Sequence, residues 1–213
     1  VTVSELLSPQ TGILSLTAAL IGVTALIFMA KGHYLAQILI ILFSVLYGAV
    51  SFSFRYYGEM LTYIGMTLPM AVISLVSWLR NPYDNTGTVA VQTKLPRKTL
   101  LSILLLTAAA TALFGLLLAM LRTARLPVSI LSVATSFLAA ALTACRSPFY
   151  ALAYAANDLV LIVLWILAAR LDASCIPMVV NFCMFLCNDI YGFLCWKQMA
   201  SKQQAPAALP PER

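Results

Sequence analysis

Seven stretches of this chain are apolar for long enough to cross a lipid bilayer, and that property decides the class of fold. They are residues 13–30, 34–54, 57–79, 99–121, 127–145, 149–170 and 174–197. A spanning helix needs about 20 mostly apolar residues. In hydrocarbon every backbone N–H and C=O must be paired inside the segment, so stretches of this kind form helices. Composition points the same way: only 9% of the 213 residues are charged, against about 25% in soluble domains. The chain is expected to be an all-α integral membrane protein. The first twelve residues lack the basic and apolar regions of a cleavable signal peptide.

The basic residues set an orientation. Lys31, Arg80, Lys94, Arg97, Lys98, Arg146, Lys197, Lys202 and Arg213 fall on one side of the predicted membrane. Arg55, Arg122, Arg125 and Arg170 fall on the other. Nine against four puts the C-terminus and the long 80–98 loop in the cytoplasm and the N-terminus outside. The tail 198–213, rich in Gln, Ala and Pro, is expected to be disordered.

An internal repeat divides the chain. Met60, Met70, Trp78 and Arg80 in the third stretch match Met178, Asn188, Trp196 and Gln198 in the seventh, at a shift of 118 residues. Each half starts outside and ends inside with a Trp near a basic residue. Two three-helix units can point the same way only if one helix joins them. The expected plan is therefore 3+1+3: a first bundle over 13–79, a linker helix over 99–121 and a second bundle over 127–197. Two parallel units of this kind are a known transporter plan.

Polar residues inside apolar helices mark the candidate site. A carboxylate at mid-membrane costs about 2.5–3.5 kcal/mol on insertion scales, so such groups face a partner, a wet cavity or a ligand. In the seventh stretch Asn181, Asn188 and Tyr191 share a stripe at helical spacing, with Asp189 on its flank. In the sixth, Tyr154, Asp158 and Trp165 line up, with Asn157 beside them. In the third, Glu59, Tyr63 and Met66 line up, with Thr62 beside them. Gly65, Pro69 and Gly192 are the expected bending points. Trp78 and Trp196, at helix ends, are expected to be interfacial anchors. Amides and carboxylates bond hydroxyls in pairs, and aromatic faces attract flat rings and cations. A ribosylated heteroaromatic cation suits both.

Other classes fare worse. The five cysteines form no Cys-x-x-Cys pair and the only histidine is His33, so no metal or other cofactor is expected. An enzyme would need an Asp/His metal cluster, a Ser/His pair or a glycine-rich phosphate loop, and the sequence offers none. A non-transporting scaffold would use Asn188 for helix contact alone.

The run Tyr57-Gly58-Glu59-Met60-Leu61-Thr62-Tyr63-Ile64-Gly65-Met66-Thr67-Leu68-Pro69-Met70, followed by Trp78-Leu79-Arg80-Asn81-Pro82, resembles the PnuC-type vitamin transporters. So do Ala156-Asn157-Asp158-Leu159-Val160 and Asn188-Asp189-Ile190-Tyr191-Gly192-Phe193 with Trp196. The resemblance implies facilitated diffusion of nicotinamide riboside in a bacterial inner membrane, by a homotrimer with the 3+1+3 plan. The expected binding site draws on the polar stripes above: Glu59, Thr62 and Tyr63 from the first repeat, and Asn157, Asp158, Trp165, Asn181, Asn188, Asp189 and Tyr191 from the second. Relatives carry thiamine, riboflavin or deoxynucleosides. Many nicotinamide riboside members have Asn, Gln and Gly where this chain has Tyr63, Ala71 and Ser74, and the Trp-x-x-Trp pair associated with them is absent. Proton-coupled symport through Asp158 or Asp189 is the alternative mechanism.

Overall fold

The computed structural model describes residues 9–53, 57–83, 85–123, 125–171 and 176–204. Seven helices carry it: α1 (Pro9–Ala30), α2 (Leu35–Ser53), α3 (57–79), α4 (Arg97–Met120), α5 (Leu126–Ala144), α6 (Phe149–Ala169) and α7 (Ile176–Gln204). Six of them are long and apolar enough to span a membrane, and α1 contributes the apolar run Leu20–Ala30. The only β pairing among the described residues is two isolated bridges, His33 with Thr88 and Pro82 with Val89.

The helices close into a ring. α1 packs on α2, α2 on α3, α3 on α5, α5 on α6, α6 on α7, and α7 returns to α1. α4 packs on α5 from outside that circuit.

α3 is interrupted as its proline requires. Tyr57–Thr62 and Leu68–Leu79 are α-helical, and Tyr63–Thr67 between them is a π-helical turn. Pro69 has no N–H to give to the carbonyl four residues back. The chain widens just before it: the Leu68 N–H reaches Tyr63 O, five residues back. Gly65 sits inside this widened turn.

Three helix ends share one device. After α1, the Gly32 N–H bonds Met29 O and the His33 N–H bonds Phe28 O. After α5, the Arg146 N–H bonds Thr143 O and the Ser147 N–H bonds Leu142 O. After α4, the Arg122 N–H bonds Ala119 O and the Thr123 N–H bonds Leu118 O. Each pair is a Schellman cap, which needs a left-handed residue at its apex. Gly32 (φ 63°), Arg146 (φ 58°) and Arg122 (φ 52°) supply it.

The turns after α1 and α5 lie at the same end of the ring, and the 80–96 segment is laid across both. The Val89 N–H donates to Gly32 O and the Gln92 N–H to Arg146 O. The Arg146 guanidinium donates to Ala90 O (3.3 Å) and Gln92 Oε1 (3.4 Å). Burial lowers this guanidinium from its ordinary value and pushes the neighbouring Cys145 thiol up, but an arginine stays charged in any case.

The same strap explains why α7 overruns its expected end at 197. Gln203 Nε2 donates to Val89 O (3.0 Å), and Gln203 Oε1 accepts from the Val91 N–H (2.7 Å). Gln204 Nε2 donates to Thr93 Oγ1 (3.1 Å). These bonds hold two further turns in helix, so the expected disorder of 198–213 does not apply through Gln204. Residues 205–213 lie outside the described residues.

Under the strap, Trp78 and Trp196 meet with ring centroids 5.5 Å apart. They are 1% and 0% exposed, so they are not interfacial anchors. The roof formed by the strap, with Val89 itself buried, moves their level from the lipid boundary to the protein interior. Trp78 Nε1 donates to Thr143 O (3.0 Å), and Trp196 Nε1 to Met29 O (2.8 Å). Met29 and Thr143 are the penultimate residues of α1 and α5. Each indole thus reaches the capped end of another helix.

Candidate functional site

Depth in the ring can be measured from the tryptophans. Tyr150 of α6 meets Trp196 of α7 with rings 4.8 Å apart. Asp158 lies eight residues farther along α6, and Asp189 seven residues back along α7. At about 1.5 Å per residue both are about 11–12 Å from the ring contact, well inside a hydrocarbon core about 30 Å thick. The two carboxyls are neighbours across α6 and α7, with the Asn188 side chain beside Asp189. Asp158 is buried, and its Oδ2 has no partner among the described residues.

Asn157 faces the other neighbour. Its Oδ1 accepts from Ser132 Oγ and Thr135 Oγ1 of α5, both at 2.9 Å. The residue is buried. One turn toward the tryptophans, the Tyr154 hydroxyl lies near the Thr143 side chain, whose own hydroxyl donates to Ala139 O (2.9 Å). Asp158 therefore presents an unpaired acceptor, of the kind a solute hydroxyl can donate to.

The geometry of α7 revises the stripe read from the sequence. Trp196, pointing at Trp78, defines the inward face. At about 100° per residue, Asp189 lies about 20° from that direction, Asn181 and Asn188 lie about 60–80° to one side, and Tyr191 lies about 140° away. Tyr191 is accordingly 59% exposed and does not join the Asp158 cluster. Asn188 and Asp189 are half-buried, and Asn181 is exposed. Trp165 lies two turns outward from Asp158 on the same face of α6 and is half-buried.

The first-half residues form a different surface. Tyr63 stands at the π turn among aromatic rings, 4.5 Å from Tyr47 and 5.6 Å from Phe43. The Thr62 hydroxyl turns back to Gly58 O (2.9 Å). The Glu59 side chain lies outside the described residues. Gly192 lies in unbroken helix, and a Cβ there would sit 3.4 Å from the Tyr150 hydroxyl, so its smallness lets Tyr150 approach α7.

Sequence reasoning missed Ser132, Thr135, Tyr150 and Thr143. Hydroxyl residues are too common in membrane helices for the three-residue spacing of Ser132 and Thr135 to stand out. Tyr150 carried a signal in the adjacent Gly192 and Trp196, which is readable only once the pairing of α6 with α7 is known.

Comparison with known proteins follows this geometry. A family model described as nicotinamide mononucleotide transporter matches residues 12–198. The nicotinamide riboside transporter PnuC of Neisseria mucosa is 25% identical over 194 residues, covering 89% of this chain and 73% of that one. Among solved structures, the crystal structure of the vitamin B3 transporter PnuC shares the fold with a TM-score of 0.71 at 22% identity. That match covers 95% of this chain and 87% of that chain.

Proposed function

The chain belongs to the nicotinamide mononucleotide transporter family, and on that premise we propose that it is a facilitative carrier for nicotinamide riboside. The observation that carries the choice of solute is the acid pair Asp158 and Asp189 at one depth, flanked by Asn157 and Asn188. A pyridinium cation is attracted to buried carboxyls, and ribose hydroxyls match the amides beside them. A phosphorylated mononucleotide would bring further negative charge against the same carboxyls, so the riboside fits and the mononucleotide does not. Asn157, Asp158, Asn188 and Asp189 form the core of the proposed site. Trp165, Tyr63 and Asn181 border it; Glu59, Thr62 and Tyr191 belong to the family-implied set and are secondary.

The ring, with α4 outside it, supports a 3+1+3 plan in which 13–79 and 127–197 form two like units. The matching caps after α1 and α5, and the mirrored indole bonds of Trp78 and Trp196, support it further. Alternating access would rock one unit against the other around the acid pair, with the π turn at Gly65 and Pro69 as hinge. Gly192 serves closeness to Tyr150 in this reading. The strap end gathers most of the basic residues and is therefore cytoplasmic in a bacterial inner membrane. A homotrimer belongs to the same reading. Small residues along α4 and α5, including Ala108, Ala112 and Gly115, line an open groove of about 700 Å³ where helices of another copy can approach closely.

Uptake of radiolabelled nicotinamide riboside into proteoliposomes, beside its mononucleotide, thiamine, riboflavin and thymidine, tests the proposal. Saturable uptake of the riboside with none of the mononucleotide is expected; the reverse would overturn the choice of solute. The contact between two carboxyls favours a second reading, proton-coupled symport through Asp158 or Asp189. Uptake that survives collapse of the proton gradient excludes it.

A further inference from the structure

We infer that Tyr47 of α2 and Trp165 of α6 face each other across the circuit of helices and hold the flat ring of the solute between them, with Tyr63 beside Tyr47. The inference rests on the proposed carrier function and adds Tyr47 to its site.

The exposed faces give the direction of each side chain. On α2, Ile38, Leu42, Val45 and Phe52 are exposed and mark the lipid side. At about 100° per residue, Tyr47 points about 180° away from them. Ala36 and Ile40 lie within about 20° of Tyr47 on the same face. Ala36 is fully buried, and Ile40 packs on the cluster that holds Trp78, Tyr150 and Trp196. Tyr47 continues that inner face but is only partly buried, so it borders open space rather than packed core. On α6, Leu152, Leu159, Val163 and Ile166 are exposed, and Trp165 points about 130° away from them. In the circuit α1, α2, α3, α5, α6, α7, helices α2 and α6 stand on opposite sides.

Depth agrees with direction. Trp165 is fifteen residues along α6 from Tyr150, and Tyr63 is fifteen residues back along α3 from Trp78. Tyr150 and Trp78 both meet Trp196. Trp165 and Tyr63 are therefore each about 22 Å from the tryptophan contact, about 10 Å beyond the acid pair. Tyr47 shares their level, its ring 4.5 Å from Tyr63 and 5.5 Å from Phe43. The shift of 118 residues that relates the two halves also pairs Tyr47 with Trp165. Tyr and Trp faces attract cations, so an aromatic face on each side suits a flat cationic ring. A riboside carries its ring at one end and its hydroxyls at the other. With the ring in the aromatic layer, the hydroxyls point along the path toward the acid pair.

The test is uptake of nicotinamide riboside and of its neutral 1,4-dihydro form by Tyr47→Leu and Tyr47→Phe, in full-length protein in proteoliposomes. Tyr47→Leu should raise the KM for the riboside about fivefold, equivalent to about 1 kcal/mol, with maximal rate within about twofold. Tyr47→Phe, which keeps an aromatic face, should stay within about twofold of wild type. The wild type should prefer the cationic riboside to the neutral form. Tyr47→Leu should narrow that preference about twofold or more, which loss of packing alone would not do. An unchanged KM in Tyr47→Leu, a Tyr47→Phe protein as damaged as Tyr47→Leu, or an undiminished preference overturns the inference. Should Tyr47→Leu fail to insert, Trp165→Leu removes the opposite face and is expected to show the same rise and the same narrowing; wild-type values there overturn the inference equally. If the wild type carries another nucleoside of the panel and not this riboside, the proposed solute is wrong. The aromatic layer is then read with that nucleoside, whose KM should rise in Tyr47→Leu and not in Tyr47→Phe; equal values in the two variants overturn it.

Discussion

The tryptophan end of the ring and the acid pair about 12 Å farther in are both polar and both buried, yet they treat their polar atoms differently. At the tryptophan end donors go mostly to backbone carbonyls: Trp78 to Thr143 O, Trp196 to Met29 O, the strap to Gly32 O and the Arg146 guanidinium to Ala90 O. Arg146 Nε and Ser147 Oγ are exceptions there. At the acid pair an Asp158 carboxyl oxygen stays without a partner. Leaving a buried polar group unmade costs about 1–3 kcal/mol and more for a charged one. A fold keeps such a cost where something else completes the bonds. On the proposed reading the first region holds the molecule together and the second receives a solute, and variants in each should behave oppositely.

The largest effect is expected at Trp196. Trp196→Ala removes a fully buried indole from between Trp78 and Tyr150. Truncations of this size cost about 3–5 kcal/mol. Detergent-solubilised protein should melt well below wild type, and uptake should fall only in proportion to the folded protein recovered. Trp196→Phe keeps a ring but takes the indole donor from Met29 O, which retains the Gly32 N–H, for about 1 kcal/mol. A Trp196→Ala protein that melts normally yet fails to transport would erase the distinction.

Asp158→Asn should do the reverse. The substitution is nearly isosteric and removes an ionisable group from the membrane interior, so the melting temperature should hold or rise. Uptake of the cationic riboside should fall about tenfold or more, because hydrogen bonds to charged groups contribute about 1.5–3 kcal/mol. Wild-type uptake in this variant would remove the charge argument for the solute.

The same contrast explains what was legible in the sequence. The seven helices were readable because bilayer thickness fixes their length and hydrocarbon fixes their pairing. Asp158, Asp189, Asn157 and Asn188 stood out because buried charge is rare in such helices. The aim of each side chain was not readable. Tyr191 shares a heptad-like stripe with Asn188, but the direction of that stripe depends on Trp196 turning to Trp78, a contact between residues 118 apart in sequence. Trp78 and Trp196 looked like interfacial anchors because nothing local shows that the 80–96 segment will cover them. The α7 extension to Gln204 was hidden for the same reason: its last turns are held by backbone groups of Val89 and Val91, not by their own composition.

The smallest effect separates the two regions most finely. Gln203→Ala removes two of the three side-chain bonds from α7 to the strap, to Val89 O and from the Val91 N–H, and leaves that of Gln204 to Thr93. Gln203 is only partly buried, so water replaces much of what is lost, and the cost should be about 1 kcal/mol. Amide exchange at Val91, which loses its acceptor directly, should quicken about fivefold, with melting little changed. If the strap serves only to roof the tryptophans, uptake stays within about twofold of wild type. Faster uptake would instead mean that strap release limits opening of the cytoplasmic end. The two regions would then be coupled, since a carrier that rocks around the acid pair must part Gly32 from Arg146, and the Val89 and Gln92 bonds are what span them.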